Sequence, residues 1–65
     1  MNLYAEIIAK GLAIELEDAE KIQNFINTWF DYFRFNSATE KEIIRTAKVA
    51  QAMISDPRYA ELLGA

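Results

Sequence analysis

The sequence predicts an all-α fold, a small bundle of three main helices plus a short C-terminal helix, with dimerisation as one way to complete it. Three observations carry that expectation. One Pro and two Gly in 65 residues leave few breaks in regular structure. Apolar side chains recur at helical spacing through most of the chain. Cap-type residues stand where each periodic stretch begins.

The first helix is expected from Asn2 to about Lys10. Asn2 suits the N-cap, Leu3, Tyr4, Ile7 and Ile8 form an apolar face, and Gly11 stands where a C-cap glycine would. The next stretch, "LAIELE", alternates with a period of two, the mark of a strand. A lone strand has no partner to pair with, so residues 11–17 read as an extended connector or as more helix. The second helix is expected from about Asp18 to Phe35, with Glu17, Asp18 and Glu20 near the positive end of its dipole. "FNSAT" then breaks the pattern. Both Ser37 with Glu40 and Thr39 with Glu42 have capping-box spacing, so a third helix starts there and runs to about Ser55. Asp56 as N-cap, Pro57 in the first turn and Gly64 past the end outline the fourth, with Tyr59, Leu62 and Leu63 as its apolar contacts.

The heptapeptide "WFDYFRF", Trp29 to Phe35, holds five of the chain's eight aromatics. On a helical wheel at about 100° per residue, the apolar arc of an Asp18–Phe35 helix spans about 220°, roughly twice an ordinary surface stripe. One neighbouring helix cannot cover that. Ile22, Ile26, Trp29 and Phe33 are assigned to the core, against Ile43, Ala47, Ala50 and Ile54 of the third helix. Truncating Trp29 is expected to cost on the order of 3–5 kcal/mol. The flanks of the arc, Phe25, Phe30, Tyr32 and Phe35, cannot all face one groove. Cover by the first and fourth helices is the bland reading; an aromatic patch for self-association or for another protein is the functional one.

Composition narrows the functional classes. A chain this short forms one domain, residues 1–65, with a small core and little margin of stability. It has no Cys and no His, which removes disulfides and the best zinc ligands, and no calcium-loop pattern is present. Without those devices, self-association is a natural source of extra stability. No glycine-rich phosphate loop or G-x-S-x-G is present, so the expectation is no catalysis, no cofactor, no metal and no small-molecule substrate. No apolar run is long enough to span a membrane, and no basic lead with an apolar stretch marks a secretory signal. With Met1 at the start, the expectation is a complete cytoplasmic product; bacterial or phage origin is a base-rate expectation only.

Charge divides unevenly. Residues 1–33 carry six acids against two bases, net −4, while residues 34–65 carry five bases against four acids, net +1. Lys41, Arg45 and Lys48 fall within about 60° on the third helix, tempered by Glu40 and Glu42. They read first as a solvated face, and second as a contact for phosphate or an acidic surface. Overall acidity makes nucleic acid an unfavoured partner. Glu15, Glu17, Asp18 and Glu20 are explained by dipole placement; a basic partner is their alternative reading. Peripheral membrane binding through the second helix is weaker still, because its polar face carries little positive charge. The functional expectation is a non-catalytic protein–protein interaction or regulatory module, a homo-oligomer or another protein's partner. The alternative is a nucleic-acid-associated regulator using Lys41, Arg45 and Lys48.

Overall fold

A computed structural model of the chain describes residues 2–59. Three main helices, α1 (Leu3–Leu12), α2 (Leu16–Trp29) and α3 (Glu40–Ser55), pack so that every pair is in contact. A short C-terminal helix opens after Asp56, over residues 57–59. No strand occurs among the described residues. Leu62, Leu63 and Gly64, expected in the last helix, lie outside them.

Asn2 caps α1 as its sequence position predicts. Its side-chain oxygen accepts the Ala5 N–H at 3.2 Å, and its amide nitrogen donates to the Gln23 side chain on α2. Gly11 does not end the helix, contrary to expectation. α1 continues to Leu12, and Ala13 takes the left-handed position at φ 55°, ψ 49°, its N–H bonded to the Ala9 carbonyl. Gly11 has a packing role instead. A Cβ built there would stand 2.5 Å from Ile44 Cγ1 and 2.7 Å from its Cδ1, so the missing side chain admits Ile44 of α3. Residues 13–15 form the connector, and α2 starts at Leu16 rather than Asp18. Glu15 is its N-cap, without a side-chain cap bond, while Glu17 and Asp18 sit in the first turn.

The largest departure from expectation is the end of α2. The helix stops at Trp29, not Phe35. The Phe30 N–H closes the last helical bond to the Ile26 carbonyl at 2.9 Å, and a turn follows in which the Phe33 N–H bonds the Phe30 carbonyl at 3.1 Å. A short 3-10 turn, Phe35–Ser37, leads into α3. Clustered aromatics are poor helix formers because their χ1 freedom is lost against the preceding turn. Ending the helix also has a packing gain. A continued helix would hold Phe35 about 240° around from Trp29; the reversal instead lays its ring against Tyr4 of α1, centroids 5.2 Å apart. The apolar arc expected of one long rod is therefore divided between a helix and a turn.

α3 begins with the capping box of Thr39 and Glu42, not that of Ser37 and Glu40. The Glu42 N–H donates to Thr39 Oγ1 at 3.2 Å, and the Thr39 N–H to Glu42 Oε1 at 2.9 Å. At the far end Asp56 accepts the Arg58 N–H through Oδ1 at 2.9 Å, the N-cap bond its sequence position predicts.

Among the described residues the core consists of Ala5 and Ile8 from α1, Ala19, Ile22 and Ile26 from α2, Ile43, Ala47 and Ala50 from α3, and Phe35 from the turn. Alanines opposite isoleucines let the three axes approach while Ile8, Ile26 and Ile43 fill the centre. Trp29, assigned to this core from the wheel, is 52% exposed, and Ile54 is exposed as well. Phe33 is half-buried at the core's edge. With α2 over at Trp29, the indole stands on the helix's last residue.

Candidate functional site: the aromatic turn

The five rings of residues 29–35 are sorted by the end of α2 into an inner and an outer set. Phe35 is 8% exposed and belongs to the core, in edge contact with Phe33 at 4.9 Å. Phe25 and Phe30 are half-buried. Their rings meet edge-on at 6.1 Å, and Phe25 also touches Tyr59 at 5.8 Å, which ties the C-terminal segment to α2. Tyr32 is 100% exposed and Trp29 half so. Of the four flank residues proposed from sequence as a contact patch, Tyr32 is thus fully at the surface, Phe25 and Phe30 are partly so, and Phe35 is not. Sequence reasoning missed Trp29 as a surface residue. The alternation "FRF", a period of two at the end of an expected helix, was the available signal that the chain changes conformation there.

Trp29, Phe30, Asp31, Tyr32 and Phe33 line a shallow depression of 390 Å³. Its backbone is held by Arg34, whose Nη1 donates to the main-chain oxygens of Asp31 at 2.7 Å and Phe33 at 3.1 Å. Such charge-assisted bonds brace the backbone of the turn. A larger depression of 490 Å³ lies between α1 and α3, over Leu3, Ile7, Gly11 and Ile44. Its walls are the outer edges of helix packing, and it holds one large exposed side chain, Leu3.

Lys41, Arg45 and Lys48 are all exposed on α3. Among the described residues the one ion pair is Asp56–Arg58, at 3.0 Å, so these three cations have no acidic partner within bonding range. The Glu42 carboxyl is held below its ordinary pKa, first by the Thr39 N–H, then by the Thr39 hydroxyl, and least by the charge of Arg45. The Asp56 carboxyl is lowered by the Arg58 guanidinium and then by the Arg58 N–H. Both shifts belong to helix starts. Glu15, Glu17, Asp18 and Glu20 are exposed, and among the described residues no three acids converge into a group that could hold a metal. No helix among the described residues is long and apolar enough to cross a membrane. No protein-family model matches the chain, and no curated protein or solved structure matches it.

Proposed function

We propose that the chain is a small, non-catalytic, cytoplasmic interaction module that associates with itself through the aromatic turn, residues 29–33. The observation that carries this reading is Tyr32, wholly exposed, beside a half-exposed Trp29 on a turn that Arg34 holds in place. A single exposed apolar side chain on a small protein needs no explanation. Trp29 and Tyr32, two of the largest aromatic types, line one depression with Phe30 and Phe33, the kind of patch that marks association surfaces. Tyr and Trp are also the residues that dominate interface energetics. The non-catalytic part rests on a sequence without His, Cys or a phosphate-binding loop.

Sedimentation equilibrium across the micromolar range tests the proposal. The wild type is expected to show a reversible monomer–oligomer equilibrium that a Trp29→Ala/Tyr32→Ala variant loses while keeping its helical circular dichroism. A wild type that stays monomeric throughout removes the reading.

The second reading is a nucleic-acid contact by Lys41, Arg45 and Lys48, supported by their exposure and by their having no ion pair among the described residues. Three cations on a chain of net charge −3 make a small electrostatic footprint. A salt-dependent mobility shift of DNA or RNA, abolished when all three become Glu, would favour it; equal indifference of both proteins ends it.

A further inference from the structure

The aromatic turn carries opposite charges three residues apart that do not satisfy each other. Arg34 reaches back to the Asp31 main-chain oxygen, not to the Asp31 carboxylate. No ion pair joins the two side chains. The Asp31 carboxylate accepts no hydrogen bond among the described residues, and Asp31 is exposed. Among the described residues the guanidinium bonds only through Nη1, to two carbonyls, which leaves Nη2 and Nε without a partner there. Among the described residues the turn thus presents a cation bonded through one nitrogen, an unpaired carboxylate and two exposed rings on one short segment.

A two-fold contact requires that whatever one copy offers the other accepts, reciprocally. A patch with one acid and one base at separate positions meets that condition. Turning it about an axis between the two charges sets Asp31 of each copy against Arg34 of the other. Resting on the reading of this turn as a self-association surface, we propose that the second copy docks two-fold on residues 29–34. Reciprocal Asp31–Arg34 pairs flank a centre of Trp29 and Tyr32 rings. The pairs set orientation and register, and the rings supply the apolar area. Arg34 suits this role because a guanidinium already fixed by carbonyls has little freedom left to lose when it meets a carboxylate.

Charge reversal tests the pairing on the full chain by sedimentation equilibrium. Asp31→Arg alone places like charges opposite each other twice per dimer and is expected to weaken association about tenfold. Arg34→Asp alone should do the same. An equimolar mixture of the two variants restores both opposite-charge pairs and should associate more tightly than either variant alone, as should the doubly reversed chain, both falling short of wild type because Asp at position 34 cannot make the carbonyl bonds of Arg34. Should Arg34→Asp lose its helical dichroism, Asp31→Arg and Asp31→Asn decide the matter, the first weakening association more than the second. A wild type that associates while ignoring Asp31→Arg overturns the reciprocal pairing and leaves the aromatic turn as the contact. A wild type that does not associate overturns both.

Discussion

Gly11 and Ala13 exchange the roles that residue preference alone would give them. Glycine is the usual residue for a left-handed helix terminus because it lacks the Cβ that crowds the carbonyl. Here Ala13 adopts that conformation, and Gly11 stays within the helix to receive Ile44. Ala13→Gly is therefore expected to raise stability by about 1 kcal/mol, measured by urea denaturation. Gly11→Ala should lower it, because overpacking against Ile44 costs about 1–3 kcal/mol and the better helix propensity of Ala returns about 1 kcal/mol. In an Ile44→Ala background the clash is gone, and Gly11→Ala should become stabilising. If Gly11→Ala is stabilising with Ile44 intact, the close approach does not matter.

Side chains of α2 differ as sharply. Ile26 is fully buried and Trp29 is half exposed, so Ile26→Ala should cost about 2–5 kcal/mol and Trp29→Ala far less. That ordering reverses the expectation from the wheel, which put Trp29 at the centre. Ile22, Ile26, Ile43, Ala47 and Ala50 were legible as core because their spacing is helical wherever the chain is helical. Trp29 and Phe35 were misread for one shared reason. The wheel assumes a continuing helix, and helix ends are set by tertiary packing that periodicity does not contain.

Among the elements, the start of α3 was legible to within two candidates, Ser37 with Glu40 or Thr39 with Glu42. The structure selects the second, and Ser37 goes to the 3-10 turn that buries Phe35. Thr39→Ala should then cost about 1 kcal/mol, while Ser37→Ala should stay within about 0.5 kcal/mol of the wild type. Equal losses would show that the cap had been placed wrongly. The capping carboxylate also gives α3 a pH dependence. The folded state lowers the Glu42 pKa below its ordinary 4.5, so the charged cap contributes stability above that value and loses it as pH falls through the folded pKa. The Thr39 amide resonance should titrate with a midpoint under 4.5, and the stability gap between wild type and Glu42→Gln should close in acid. A midpoint at or above the ordinary value would remove the cap hydrogen bond from solution.

The end of α2 is the element that most affects the molecule. Its sequence carries no breaker between Trp29 and Phe35, since neither Gly nor Pro intervenes. The reversal gains the contact of Phe35 with Tyr4, a pairing between residues 31 positions apart that no local pattern encodes. Read alone, α1, α3 and the N-terminal part of α2 follow from pattern and caps; the turn does not.

Taken together, the nine buried residues among those described form a small core, and the rings of Trp29 and Tyr32 lie outside it. Phe33 and Phe35 close the bundle, while Trp29 and Tyr32 project from the same seven-residue stretch into water. The aromatic density noticed in the sequence therefore serves two ends, separated by one change of backbone conformation. Trp29, the chain's only tryptophan, reports on that division directly. Its fluorescence can be followed over a dilution series reaching well below the micromolar range. Emission near that of water-exposed indole is expected in the dilute protein, moving to shorter wavelength as concentration rises, with the shift abolished by Tyr32→Ala. Emission already at short wavelength and unchanged by dilution would contradict it, because the indole would then be buried within the single chain.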